Sequence, residues 1–209
     1  VWPGGFTVYK RKGHGRKLLF GLTIMILCVT AQNQGCKAAS QGQQTDPGKI
    51  LKEMLESDGD AQIELKKDIV IHGTIHIRGK KHLVGRGHCI YRSSRTDQFY
   101  GGTAFCVESG EFQITDTVIS GIGGKKVKRR TYGRLIEVRK GKFVLGKKSV
   151  LKGNCNTARG EEGGGAVLVR KSAQFLMKGG TICGNEIVTE GAAVKVEAGG
   201  TFIMRGGVI

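Results

Sequence analysis

Residues 164–184 read GGAVLVRKSAQFLMKGGTICG, and residues 192–209, AAVKVEAGGTFIMRGGVI, align with 165–182 at an offset of 27 residues. Residues 101–121, GGTAFCVESGEFQITDTVISG, align with the first stretch without a gap at an offset of 63 residues. Each copy contains apolar-x-Val, a small or polar turn, Phe-x-apolar, a second turn and a final apolar residue. Self-similarity at such a period is the signature of a repeat protein built from stacked units.

A phenylalanine marks each copy. Residues 135–154 fit the same template with single-residue slips, and the resulting anchors are spaced by 31, 32 and 27 residues: Phe112, Phe143, Phe175 and Phe202. Apolar residues two apart point to one face of a strand, and no helical stripe survives across a unit. Three short strands joined by glycine turns make one coil, and coils must stack to bury their apolar faces.

These observations predict an all-β solenoid in which the four phenylalanines form an internal ladder, with Val169 and Val196 across the core. A β-sandwich is the structural alternative, but its irregular turns would not naturally give an in-register phenylalanine repeat. Asn154 and Asn185 match between units, and we expect their amides to form hydrogen bonds between coils.

A short helix is predicted before the coils. The residues Thr45-Asp46-Pro47 supply an N-cap and a proline in the first helical turn, and residues 48–57 are amphipathic. Residues 61–87 alternate strongly and indicate the first, less regular coils. The helix would cover the end of the solenoid, since terminal repeats need a cap. The β-helix domain is assigned to residues 48–209, and we expect further coils beyond Ile209 because the sequence stops in mid-unit.

The repeats GGAVLVRKSAQFLMKGGTICGN and GAAVKVEAGGTFIMRGGVI resemble the GGAVxVxxGGTFxMxGGTISGN repeats of bacterial secreted and surface proteins in the pectate-lyase-like superfamily. The resemblance covers roughly residues 49–209. It implies a right-handed, single-stranded parallel β-helix with a short N-terminal capping helix. It is weak for function, because the superfamily includes lyases, glycosidases, adhesins and proteins with no known activity.

The amino terminus has the pattern of an export signal. Residues 18–31, LLFGLTIMILCVTA, are uncharged and follow the basic cluster KRKGHGRK. The apolar run is shorter than the roughly 20 residues that cross a bilayer. We therefore assign residues 1–31 to a signal peptide cleaved after Ala31 and residues 32–47 to a flexible linker. An uncleaved membrane anchor is the alternative.

The chain is strongly basic, with 34 Lys and Arg against 17 Asp and Glu. Such a surface attracts polyanions, so an anionic polysaccharide or cell-wall polymer is the expected partner. No nucleic-acid motif accompanies the charge, and contact with a membrane is expected only during export. A basic insert falls between two repeats and is the candidate polyanion-binding segment, with a solvated loop as the alternative: Lys125, Lys126, Lys128, Arg129 and Arg130.

Catalytic, cofactor and metal sites are not predicted. His72 and His76 lie four residues apart on an alternating segment, but metal binding needs a third converging ligand. The cysteines are odd in number after residue 31 and have neither a disulfide framework nor zinc-ligand spacing. Acidic residues from 101 onward are scattered, without the clusters that lyases and hydrolases use.

The expected function is that of an exported, non-catalytic adhesive or structural rod, secreted or on the cell surface. The alternative is a carbohydrate-active enzyme, a polysaccharide lyase or glycoside hydrolase, whose active site lies in coils beyond this sequence.

Overall fold

A computed structural model describes the backbone of residues 6–9 and all atoms of residues 46–93, 101–121, 133–157 and 164–209. These residues form one helix and strands β1 to β19, and nearly all strand pairs are parallel. The chain visits three sheets in a fixed order, coil after coil. The predicted all-β parallel β-helix is therefore confirmed.

Sheet A is seven-stranded, in the order β1-β2-β5-β8-β11-β15-β19. Only β1 is antiparallel, and it pairs with β2. The strands are β1 (Phe6–Tyr9), β2 (Ala61–Leu65), β5 (Lys80–Val84), β8 (Glu111–Thr115), β11 (Gly141–Leu145), β15 (Ala173–Met177) and β19 (Thr201–Met204).

Sheets B and C are five-stranded, and a two-stranded sheet D accompanies them. Sheet B contains β3 (Ile69–Ile71), β6 (Cys89–Arg92), β9 (Val118–Ser120), β12 (Val150–Lys152) and β16 (Thr181–Cys183). Sheet C contains β4 (Ile75–Ile77), β7 (Phe105–Val107), β10 (Ile136–Val138), β14 (Val167–Val169) and β18 (Val194–Val196). Sheet D pairs β13 (Cys155–Asn156) with β17 (Glu186–Ile187).

The predicted phenylalanine ladder runs through the core along sheet A. Phe112 pairs in register with Phe143, Phe143 with Phe175, and Phe175 with Phe202. The ring centroids are 5.9, 5.2 and 4.8 Å apart in that order. Phe105, which the sequence analysis did not assign, stacks on Phe112 at 5.3 Å.

The two valines expected across the core from the phenylalanines differ in burial. Val169 is fully buried, as predicted, but the prediction for Val196 is wrong because its residue is 40% exposed. Val196 lies in β18, the outer strand of sheet C, which pairs only with β14 among the described strands. A strand without a second neighbour leaves its side chains partly in solvent.

Helix α1 (Pro47–Glu56) packs against the first coil. The carboxylate of Asp46 accepts a hydrogen bond from the backbone amide of Gly48, as predicted for the N-cap. Leu51 and Leu55 are fully buried against the solenoid core. Just past the helix, the carbonyls of Ser57 and Gly59 accept hydrogen bonds from the buried amine of Lys81, and burial lowers the pKa of this lysine.

The asparagine contacts between coils are also confirmed. The amide nitrogen of the Asn154 side chain donates to the carbonyls of Gly133 and Gly165. The side-chain oxygen of Asn185 accepts from the backbone amide of Asn154, and its nitrogen donates to Leu151 O. These bonds satisfy buried backbone groups where sheet ladders do not reach them.

Candidate functional site

Exposed cations line one corner of the solenoid. Every turn that leads from sheet A into sheet B stacks on the corresponding turn of the next coil, as in the bond from Lys178 N to Leu145 O. We call the cations of these turns and of the segment after β19 the basic ridge: Lys66, Lys67, Arg86, Lys147, Lys148, Lys178 and Arg205. Neighbouring strands are about 4.8 Å apart, so the six parallel strands of sheet A give the ridge a length of roughly 24 Å.

The basic ridge is weakly neutralised. Asp68 and Asp116 share its turns, and Arg86 is paired with Glu64 at 3.1 Å. Among the described residues, four cations of the ridge have no carboxylate within 4.0 Å: Lys147, Lys148, Lys178 and Arg205. Their charges therefore face solvent across three successive coils.

One lysine of the basic ridge has an unfavourable backbone conformation. Lys148 has φ 58°, whereas the corresponding positions of the next two coils are Gly180 and Gly207, with φ 83° and 102°. A side chain in the left-handed region costs about 1–2 kcal/mol relative to glycine. Such strain at a surface position is a reason to look for a function of the side chain.

A cleft of about 270 Å³ lies on the outer face of sheet C. Its walls come from the strands of this sheet and the residues that precede them, so one coil contributes Cys106 and the next Glu137. The residues that line it are Thr74, His76, Gly102, Thr103, Cys106, Gly133, Arg134, Glu137, Arg139 and Arg170.

Glu137 is the centre of an ion cluster in the cleft. Its carboxylate is only 4% exposed and contacts Arg134 at 2.9 Å, Arg139 at 3.0 Å and Arg170 at 3.1 Å. Burial raises the pKa of Glu137, but the charge of Arg134 and the hydrogen bonds from Arg139 and Arg170 outweigh it, so the pKa lies below its usual range. Glu137 is therefore an ionised carboxylate at neutral pH.

A second cluster lies at one end of the cleft. His76 and Cys106 are direct neighbours in the register of β4 and β7. Glu108 follows β7, and its Oε1 is 2.7 Å from His76 Nδ1, while Arg78 donates to Oε2. Burial opposes ionisation of Glu108, but hydrogen bonds from Arg78 and His76 lower its pKa overall. Burial raises the pKa of the Cys106 thiol to about 11.

The predicted candidate residues have different fates. The basic insert with Lys125, Lys126, Lys128, Arg129 and Arg130 lies outside the described residues. His72 is exposed and His76 is half-buried, and the structure gives His76 converging neighbours that sequence reasoning missed. The four described cysteines form no disulfide with one another: Cys89, Cys106, Cys155 and Cys183.

The basic ridge was also missed, although a signal for it was present. The second turn of the repeat reads GKK at 146–148, KGG at 178–180 and RGG at 205–207, so cations recur in a single turn. Alignment of the turns, rather than of the apolar anchors alone, predicts that these cations share one corner of the solenoid, with Lys178 and Arg205 at equivalent positions.

No protein family, curated protein or solved structure matches the chain. Across the part of the chain that the structure describes, α1 is too short to cross a bilayer and no apolar helix long enough to do so was found.

Proposed function

We propose that the chain is an exported, non-catalytic β-helix of the pectate-lyase-like kind, secreted or held at the surface of a bacterial cell. It works as an adhesive or structural rod, and it binds anionic glycans or cell-wall polymers along the basic ridge. The observation that carries this proposal is the recurrence, in three successive turns of one corner, of the cations Lys147, Lys178 and Arg205, which have no carboxylate within 4.0 Å among the described residues.

The spacing and the charge of the basic ridge both suit a linear polyanion. A linear polyanion presents charges at regular intervals, and a solenoid presents one turn every 4.8 Å or so along its axis. Lys147, Lys178 and Arg205 occupy successive turns on one side of the molecule, so a polymer lying parallel to the axis meets all three. Exposed charges attract without strict specificity, and salt screens the attraction within about 8 Å.

A carbohydrate-active enzyme is the second candidate, because the cleft on sheet C contains carboxylates. Glycoside hydrolysis usually needs one carboxylic acid with a raised pKa as a proton donor. Glu108 and Glu137 both have lowered pKa values, and arginines contact both. This argues against either residue as the acid and favours the binding function.

The first experiment compares two variants of equal net charge. The ridge variant carries Lys147→Gln, Lys148→Gln, Lys178→Gln and Arg205→Gln. The control variant removes the same number of exposed cations from α1, from the first residue of β5 and from two turns between sheets C and A: Lys49→Gln, Lys80→Gln, Lys140→Gln and Lys171→Gln. Affinity for heparin and for a polyuronate is measured as a function of salt concentration.

We expect the ridge variant to bind more weakly, with a salt slope reduced by about one for each lost contact, as for other linear polyanions. The control variant should lose much less. An equal loss in both variants would mean that net charge, not the basic ridge, governs binding. Neutralising Lys125, Lys126, Lys128, Arg129 and Arg130 in a third variant measures the contribution of the insert. Shortening of the polymer during incubation would favour the enzyme.

Lys148→Gly separates function from stability. Glycine relieves the left-handed backbone at this turn, so the variant should unfold at the same or a higher temperature than the unsubstituted protein. It also removes one cation of the basic ridge, so heparin affinity should fall. Unchanged affinity together with higher stability would show that Lys148 is not part of the binding surface.

A further inference from the structure

Three donor atoms converge at the end of the cleft on sheet C. One ring nitrogen of His76, Cys106 Sγ and one carboxylate oxygen of Glu108 lie within 4.8 Å of one another. Two adjacent coils supply them, because β4 carries His76 and β7 carries Cys106, with Glu108 just beyond it. The strand register therefore fixes the donors relative to one another.

The donor atoms of His76, Cys106 and Glu108 need only small shifts to reach the spacing of a metal-binding site. In a tetrahedral zinc site with bonds of about 2.0–2.3 Å, the donor atoms are roughly 3.3–3.7 Å apart. His76 Nδ1 and Glu108 Oε1 share a hydrogen bond of 2.7 Å, so they need to separate by less than about 1 Å. The side chains of His76 and Glu108 are 39% and 24% exposed, which leaves them room for that adjustment.

The chemistry of the donors selects the kind of cation. A thiolate, an imidazole and a carboxylate match zinc and similar borderline-soft metals, whereas calcium and magnesium prefer oxygen ligands alone. The deprotonated thiol and the carboxylate together carry two negative charges. They would neutralise a divalent ion at a site where Cys106 is only 1% exposed.

The surroundings provide an outer shell and an entrance. Arg78 donates two hydrogen bonds to Oε2 of Glu108, which leaves Oε1 directed at His76. Such partners orient ligating carboxylates in metal sites. His76 and Cys106 both line the cleft, so the fourth coordination position faces a space of about 270 Å³ that opens to solvent.

We infer that His76, Cys106 and Glu108 form a binding site for a divalent transition-metal ion, with zinc as the best match. Three protein ligands leave one position for water or for a donor atom of a bound ligand. The site lies on sheet C, away from the turns that carry the basic ridge, so it is independent of polyanion binding.

The test uses the full-length, untagged protein, stripped of metal with a chelator and kept reduced. Zinc binding is measured by calorimetry, and Co²⁺ is added as a spectroscopic probe. We expect one ion per chain and a thiolate-to-cobalt charge-transfer band in the near ultraviolet. Cys106→Ser should abolish the band. Glu108→Gln and His76→Gln should weaken zinc binding by at least tenfold, and Arg78→Gln by about tenfold, as for other outer-shell partners.

Matched controls are available in the same chain. Cys183→Ser removes an exposed thiol in sheet B, and His72→Gln removes an exposed imidazole four residues from His76. Both should keep the cobalt band and the zinc affinity. Circular dichroism shows whether each variant is folded, and Glu108→Gln decides the question should Cys106→Ser not fold. Absence of stoichiometric binding, or its retention in Glu108→Gln and His76→Gln, would overturn the inference.

Discussion

Glu137 is the side chain that holds together the outer face of sheet C. It contacts arginines from its own coil and, through Arg170, from the next coil. Arg170 continues the contact to Glu197 one coil further. The carboxylate of Glu137 thus links stacked coils through ion pairs on the outer face of sheet C.

Glu137→Gln should destabilise the protein by about 3–5 kcal/mol at neutral pH, because it removes one partner of the buried Arg134–Glu137 ion pair. The folded state holds the pKa of Glu137 below the ordinary value of about 4.3. The contribution of its charge is therefore fully present above that value and is lost as the pH falls through the lower, folded pKa. Urea unfolding at pH 7 and at about pH 3 measures both effects.

The difference in unfolding free energy between Glu137→Gln and the unsubstituted protein should accordingly shrink at low pH. Glu111→Gln is the control, since Glu111 pairs with Lys142 at a partly exposed position. Its cost should be at most about 1 kcal/mol. A cost for Glu137→Gln no larger than for Glu111→Gln would contradict the role of the cluster.

A strand of sheet A shows how one unit contributes to the core. In β15, Ala173, Phe175 and Met177 are buried, and Phe175 stacks on Phe143 and on Phe202. Burying one such ring stabilises the fold by about 2–3 kcal/mol. Because four successive strands of sheet A, from β8 to β19, carry a phenylalanine in register, the ladder stabilises coil stacking rather than any coil alone.

Phe175→Asp should give insoluble or protease-sensitive protein, because it buries a charge without a partner among two aromatic neighbours. Gln174→Asp is the matched control on the same strand. Gln174 is partly exposed and lies between Lys142 and Thr201, so its substitution should change the unfolding free energy by no more than about 0.5 kcal/mol. Chemical denaturation and limited proteolysis measure both variants.

Phe202→Asp should be less harmful than Phe175→Asp, since Phe202 is only partly buried and stacks on one described ring. A soluble, cooperatively folding Phe175→Asp variant would show that the ladder contributes little to the fold. Similar damage from Gln174→Asp would show instead that both faces of β15 are equally constrained.

The repetition of coils along the solenoid explains which features could be predicted from the sequence. Strand position, the phenylalanine ladder and the Asn154–Asn185 contact follow from local periodicity and repeat alignment, because each coil copies its neighbour. The side chains of the cleft do not repeat: Cys106, Glu137 and Leu168 occupy one register row. Their chemistry arises from differences between coils, and pattern matching on shared residues discards those differences.

The surface cations, too, were only partly predictable from the sequence. The sequence predicts polyanion binding at the insert, because its cations are adjacent in the chain. The structure brings together cations that are about one repeat apart, such as Lys178 and Arg205. The five cations of the insert and the basic ridge are therefore two separate candidates, which the variants described above distinguish.

Export is the prediction that concerns the whole molecule. A basic segment, a short apolar run and the residues Val29-Thr30-Ala31 predict a cleavable signal. In a bacterial host, the exported protein should begin at Gln32 or within a few residues of it, and should therefore lack β1, which pairs with β2 in the uncleaved chain. Amino-terminal sequencing measures this. Ala31→Arg should block cleavage, because the signal peptidase requires a small residue before the cut, whereas Ala39→Arg should leave it unchanged. An exported protein that retains residues 18–31 would favour the membrane anchor.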